Sequence, residues 1–286
     1  MHTQPKHHHA GLAGLACAAA LASTLSFVQL HAATFIELQD FESSTAGVKP
    51  SAPWAWWVGS APGPTTGSGS LGTVAVTDTR HSPFGTGAGT NSLSIEAINT
   101  GSPSANANFT SATTDALLIQ FDLYLSGAAR DPAISLNGNR DGGGSGVGFR
   151  LNFANGSTNN FVNQTGGGTA VTTNINSEDG SPMLSTRDTW YHVEITTRSA
   201  TEATDQYKLT VTPYGGQSVT STWQDFRYNL IDFSKIEISW SNGTGIMYLD
   251  NISVQTAPVP EPATSALLLL APVMLAALWL RRRNNA

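Results

Sequence analysis

Three acids and four tryptophans are the residues whose types and positions could do chemistry in this chain: Asp40, Glu42, Asp250, Trp54, Trp56, Trp57 and Trp223. Asp40 and Glu42, two apart on an extended segment, would share a face, and paired carboxylates suit acid–base work on a glycosidic bond. Asp250 has the strand parity of Ile246, Tyr248, Ile252 and Val254, so a regular strand would aim it at an apolar face. Met247 and Leu249, on the other parity, pull against that assignment. A buried, unpaired carboxylate is too costly to persist; it needs a cation, hydrogen-bond donors or a bulge that turns it outward. On the competing reading Asp250 caps a turn or lies on the wet face.

Flat indole rings stack on the C–H faces of pyranoses while neighbouring amides bond the hydroxyls. Trp54 and Trp56 would share one face of an extended segment, with Trp57 on the other, as a stacking platform or as a cover for the end of the core. Trp223, in Thr222-Trp-Gln-Asp225, offers the same two readings. Asn155, Asn159, Asn160 and Asn163 are hydrogen-bonding loops or turns. Asn137-Gly-Asn-Arg-Asp-Gly142 places oxygen side chains like a calcium loop, but Gly148 stands where the bidentate acid is required, so a hairpin turn is expected.

Other chemistry is excluded by what is missing. Past residue 33 the histidines are His81 and His192, and the one cysteine, Cys17, lies in the N-terminal apolar run. That leaves no Cys/His metal cluster and no Cys–His nucleophile. There is no G-x-S-x-G, and the glycines from 142 to 146 lack the Lys-Ser/Thr of a phosphate cradle.

The elements that must position these residues are strands. Leu117, Ile119, Phe121, Leu123 and Leu125 alternate with polar positions, and the same period recurs over 190–198, 207–211, 236–240 and 246–254. Strands are also expected over 34–42, 71–77, 92–98 and 147–153, separated by Gly, Ser, Thr and Asn-rich turns. Many short strands with polar turns and no helical period predict an all-β fold, an antiparallel β-sandwich of jelly-roll type, over residues 34–256. The chain carries 14 Lys+Arg against 20 Asp+Glu, a net charge of −6. Because Lys6 and Arg281 to Arg283 lie in the termini, the stretch between them is more acidic still, which argues against nucleic acid as a partner.

The ends are organised differently. Lys6 with His7 to His9, an apolar run from Ala10 to about Leu30, and Ala32 and Ala33 have the layout of a secretory signal peptide over 1–33. At the other end a linker over 257–262 precedes an apolar segment over 263–280. As one transmembrane helix of roughly 18 residues it reaches about 27 Å, enough for a bilayer core. The basic tail over 281–286 should then stay cytoplasmic, with everything before Ala263 outside.

Val259-Pro260-Glu261-Pro262, the apolar segment and Arg281-Arg282-Arg283 resemble the tripartite PEP-CTERM sorting signal of Gram-negative bacteria. The resemblance implies processing by an exosortase, a membrane-embedded cysteine protease, and an exopolysaccharide-producing, biofilm-forming host. Within the ectodomain, the bracket of Asp40-Phe41-Glu42 and Tyr248-Leu-Asp-Asn-Ile252 resembles jelly-roll carbohydrate-binding modules and concanavalin-like domains. Trp190-Tyr-His-Val193 is similar to a strand of laminin-G-like and lectin-like sandwiches. The module resemblance implies a structural calcium between the first and last strands, held here by Asp40 or Glu42 with Asp250. Glu37-Leu-Gln-Asp-Phe-Glu42 resembles the E-x-D-x-x-E strand of concanavalin-fold glycosidases, but Gln39 stands where the middle acid belongs.

These readings converge on a non-enzymatic, exported surface or matrix protein. It is secreted across the inner membrane, anchored there until processed, then held at the cell surface or in the extracellular matrix, where it binds extracellular polysaccharide. The alternatives are a purely structural surface protein without ligand, and a degenerate glycosidase-like enzyme.

Overall fold

Alternation along the strands builds one core between two sheets. Leu117, Ile119, Phe121, Leu123 and Leu125 are all sealed from solvent, as are Val193, Ile195, Tyr207 and Leu209 from the neighbouring strands. They meet Phe149, Leu151, Phe153, Ile236 and Ile238 from the opposite sheet in a single hydrophobic cluster. The computed structural model describes residues 33–258 apart from 59–67, 70, 85–88, 99–101, 128–131, 154–159, 167–168, 170 and 241–243. The expected signal peptide, Val259 to Pro262, the apolar segment, the Arg281 to Arg283 cluster, Asn155 and Asn159 therefore lie outside the described residues. Among the described residues no helix is long and apolar enough to cross a membrane.

In chain order the strands are β1 (Thr34–Gln39), β2 (Trp54–Trp57), β3 (Ser68–Gly69), β4 (Gly72–Thr77), β5 (Ser92–Ala97), β6 (Ser104–Thr113), β7 (Leu117–Leu125), β8 (Pro132–Asn139) and β9 (Ser145–Phe153). They continue through β10 (Phe161–Thr165), β11 (Val171–Asn174), β12 (Trp190–Thr197), β13 (Gln206–Pro213), β14 (Val219–Thr220), β15 (Gln224–Asp225), β16 (Phe233–Trp240) and β17 (Gly245–Thr256). One sheet has ten strands in the order β14-β13-β12-β7-β17-β5-β4-β3, with β1 also on β17 and β15 on β13. The other has seven, β11-β10-β9-β8-β16-β6-β2. The fold is the expected all-β sandwich of two antiparallel sheets. Its first strand pairs with its last, with Thr34 opposite Gln255 and Ile36 opposite Val254.

Two local breaks in strand geometry decide where the acids go. Asn251 adopts a left-handed conformation (φ 50°), and the register of β17 against β7 shifts between Asp250 and Ser253. A bulge of this kind exchanges inside for outside. Met247 and Leu249 face the core before it, Ile252 and Val254 after it. Asp250 thus shares the outer face with Tyr248, and the expectation of an inward carboxylate is corrected. At the start of the domain, β1 ends at Gln39 and Phe41 is left-handed (φ 60°) with its ring buried. Asp40 and Glu42 therefore flank a turn rather than share a strand face.

The β8–β9 hairpin is the turn expected from Asn137 to Gly142, and Gly138 within it lies against the backbone before β16. A Cβ added at Gly138 would meet the Asp232 carbonyl oxygen at 1.9 Å. Gly138→Ala is expected to cost about 1–3 kcal/mol through this overlap, a lowered midpoint in chemical denaturation at unchanged slope.

Candidate functional site

The outer face of the seven-stranded sheet carries polar side chains in register. Opposite residues of an antiparallel ladder point the same way, so pairing alone defines its rows. Asn106, Glu237, Ser135 and Arg150 stand side by side across β6, β16, β8 and β9. Asn108, Lys235, Asn137 and Val147 form a second row across the same strands. A third starts at Trp57 on the edge strand and passes through Ser104, Ser239 and Ala133 to Asn152. The core-facing partners on the alternate parity are Ala105, Ala107, Ile134, Leu136, Phe149, Leu151, Ile236 and Ile238.

The floor of this face is shielded yet unsatisfied. Ser135 is 2% exposed, Asn137 5% and Ser239 7%. The Asn106 Oδ1, Ser135 Oγ, Asn137 Oδ1 and Ser239 Oγ atoms find no hydrogen-bond partner among the described residues. Such atoms are normally paired, and leaving each without a partner costs about 1–3 kcal/mol. The longer side chains around them are ordered by one another. Asn137 Nδ2 donates to Glu237 Oε2 at 3.1 Å, and Lys235 Nζ lies 3.6 Å from the same oxygen. Arg150 Nε donates to Asn152 Oδ1 at 3.3 Å, and Arg227, just beyond β15, donates to Gln164 Oε1 at 2.7 Å. Burial holds the Arg150 guanidinium below the usual arginine range, with Glu237 opposing the shift and Arg227 adding to it. Together these groups make an open, hydrogen-bond-rich trough with an indole at its rim, since Trp57 is 55% exposed.

The outer face of the ten-stranded sheet holds a different cluster. His192, Asp122 and Asp250 are opposite one another on β12, β7 and β17. The His192 Nδ1 lies 2.7 Å from Asp122 Oδ1, and its Nε2 lies 3.8 Å from Glu194. Ser82 Oγ and Asn251 Nδ2 both donate to Asp122 Oδ2 at 2.6 Å. The Ser82 amide donates to Asp250 Oδ2 at 3.1 Å, and the Asn251 amide to Asp250 Oδ1 at 2.8 Å. The serine is hydrogen-bonded to the aspartate and not to the imidazole, so the set is no nucleophile–base pair. It clamps the 80–84 segment onto the sheet. Next to it Tyr124, Trp190 and Tyr248 pack together, with the Arg80 guanidinium 4.0 Å from the Tyr124 ring centroid.

The acids expected from the sequence do not come together. Among the described residues no group of three or more His, Cys, Asp or Glu side chains could hold a metal ion. Asp40 Oδ1 accepts the Glu42 amide at 3.1 Å. Glu42 accepts the amides of Thr90 and Asn91, each at 2.9 Å, as well as the Thr90 hydroxyl. Burial works against its charge, yet those amides hold the carboxyl below the ordinary range. Asp250 is only 3% exposed and has the two amide donors described above. Backbone N–H groups take Asp40 Oδ1 and both oxygens of Glu42 and of Asp250, the three acids of the expected calcium set.

The tryptophans divide as well. Trp54 is buried against Phe41, with ring centroids 6.3 Å apart. Trp56 is partly buried against the core beneath Lys49 Nζ, 4.9 Å from its ring. Of the two readings of Trp54 and Trp56, platform or cover, their burial fits the cover over the core, and Trp57 is the ring left outward. Trp223 is 38% exposed, with the Arg198 guanidinium over its ring at 4.4 Å. Asn160 and Asn163 are both buried. A hollow of about 250 Å³ beside Asp40, Phe41, Pro50 and Trp54 is smaller than the roughly 300–1,000 Å³ of small-molecule sites. None of Asn106, Ser135, Arg150, Arg227, Lys235 or Glu237 was singled out as a binding residue by sequence pattern, and Asn137 only as the start of a calcium-like loop. The available signal was amide and charged residues, in place of Ser and Thr, at the outward positions of adjacent strands.

Fold and face together define a jelly-roll sandwich with a polar sheet trough. The structure is similar to a marine PL-14 alginate lyase from Aplysia kurodai, at a TM-score of 0.51 and 10% identity over 79% of this chain and 100% of that one. An endo-β-1,4-glucuronan lyase from Trichoderma reesei gives a TM-score of 0.46 at 15% identity, covering 75% and 95% of the two chains. A family 11 carbohydrate-binding module from Clostridium thermocellum, solved with a mixed-linked tetrasaccharide, gives 0.34 at 13% identity over 79% and 98%. No protein-family profile and no curated protein matches the sequence. The expectation of a non-enzymatic domain is corrected by the first of these structures. An alginate lyase is built on the same fold, so the sandwich gives no ground for setting catalysis aside.

Proposed function

We propose that this chain is an exported, exosortase-sorted protein whose sandwich binds extracellular polysaccharide along the trough of the seven-stranded sheet. The observation that carries this reading is the set of shielded but unpaired oxygen atoms on Asn106, Ser135, Asn137 and Ser239, spread over three adjacent rows of one sheet face. A sugar chain lying across the strands brings hydroxyls at the spacing of a polymer and can satisfy such acceptors. The Trp57 ring at the rim supplies an apolar surface for one pyranose face. An open face admits the middle of a long chain, whereas an enclosed pocket would admit only an end.

The test is co-sedimentation or affinity electrophoresis of the full chain against a polysaccharide panel. Trp57→Ala is expected to weaken binding about 3- to 10-fold, the loss of a stacking contact worth about 0.5–1.5 kcal/mol. Trp54→Ala should instead lower stability. A protein that retains no polymer at any concentration would be the inert surface protein of the alternative reading. The same incubations, followed for shortening of the polymer, report whether the trough also cleaves what it binds. For the sorting reading, fractionation should find the precursor membrane-bound and a shortened product outside; an untrimmed, soluble cytosolic chain would end it.

A further inference from the structure

The trough contains more positive charge than its surroundings require. Arg150, Arg227 and Lys235 lie on one sheet face, where the carboxylate acting on Arg150, Glu237, is already engaged by Asn137 and Lys235. Burial first, and then the Arg227 charge, make the charge on Arg150 harder to keep. Arg227 Nε is buried and has no acceptor among the described residues, although another of its nitrogens reaches Gln164. All this occurs in a chain of net charge −6, where cations gathered on one sheet face are not a by-product of composition.

A neutral sugar would satisfy the orphaned amide and hydroxyl oxygens but would leave the cationic excess and the Arg227 Nε proton as they are. A carboxylate would meet both, because guanidinium and carboxylate match in a paired, charge-assisted geometry. Dense polyanions such as nucleic acid are disfavoured by the acidic remainder of the molecule. We infer that the trough selects carboxylated polysaccharides, chains of uronate sugars, with Arg150 and Arg227 receiving the carboxylates and the Asn106, Ser135 and Asn137 oxygens accepting hydroxyl protons. Glu237, itself beside Lys235, fixes the position of Asn137. This rests on the reading of the same face as a polysaccharide trough.

The experiment compares a set of polyuronates with the neutral polymer made from each by carboxyl reduction, which keeps backbone, linkage and length. The full chain is expected to bind at least one polyuronate about tenfold or more tightly than its reduced form, and to lose that advantage as salt is raised. Arg227→Gln should narrow the ratio, and Arg150→Lys should preserve more of it than Arg150→Gln. Unchanged melting curves separate these effects from misfolding. If reduced and carboxylated polymers bind alike, the charge selection is wrong while polysaccharide binding stands. If neither form of any polymer binds, both the selection and the reading of the trough are overturned.

Discussion

Phe149→Ala is expected to lower the stability of the sandwich by about 3–5 kcal/mol, the cost of removing a large aromatic from a packed interior. Phe149 comes from β9 in one sheet and has no solvent exposure. Its ring centroid lies 4.9 Å from that of Tyr207, which comes from β13 in the other sheet, and 6.2 Å from that of Phe226. Phe226 in turn packs against Phe233 at 6.1 Å. The four rings are a bolt through both layers beneath the trough. The surrounding strands are held by their ladders and cannot close the void. For a domain of this size each kcal/mol moves the melting temperature by about 2–4 °C, so a calorimetric shift on the order of 10 °C is the measurement. A shift of only a degree or two would mean that the sheets are joined elsewhere.

The second large effect is in pH. Burial pushes the Asp250 carboxyl from 3.8 up to about 7, against the pull of the Ser82 and Asn251 amides and with the charges of Asp122 and Glu42 adding to the rise. His192 is raised above its ordinary 6.5, first by its hydrogen bond to Asp122, with burial opposing. Both groups bind protons more tightly folded than unfolded, so both contribute stability at low pH that is lost as pH rises. For Asp250 the loss falls between about 3.8 and about 7; for His192 it begins above 6.5 and ends past its folded value. The melting temperature is therefore expected to fall as pH rises from 3.8 to about 7, with His192 carrying the fall on above 6.5. Asp250→Asn removes the titrating charge and should flatten that slope, while its amide nitrogen, unable to accept the second of the two backbone N–H groups, lowers stability by about 1–3 kcal/mol at every pH. The Asp250 contribution is at most about 4 kcal/mol over the whole window. An identical slope in the variant would show that the carboxyl does not titrate there.

How much of this could be read from the chain differs by layer. The strands around Leu117 to Leu125 and Trp190 to Thr197 were legible because large apolar side chains alternate with polar ones. β6 was not. Its inward residues are Ala105, Ala107 and Phe109, between Asn and Ser, and small side chains leave a faint period. β2 was obscured by the prolines and glycines around it, so no strand of the sheet was expected over Trp54–Trp57. The bulge at Asn251 has no period of its own, and one left-handed residue was enough to reverse the side on which Asp250 lies. The trough was invisible for a different reason. Polar residues on alternate positions are what any wet sheet face shows, and only the pairing register reveals that Asn106, Ser135, Arg150 and Glu237 adjoin. The hydrogen bonds of Glu42 and Asp250 likewise depend on Thr90, Asn91 and Ser82, which no motif connects to them.

Finally, the sheet that bears the trough ends at both sides on strands of only four residues, Trp54–Trp57 and Val171–Asn174. A flank that brief offers a second molecule few free backbone groups to zip onto, and the second of the two is solvent-bathed along its whole length. With one cysteine in the whole chain the sandwich has no internal disulfide to lock it, so flanks this short are its guard against strand-on-strand growth into fibres.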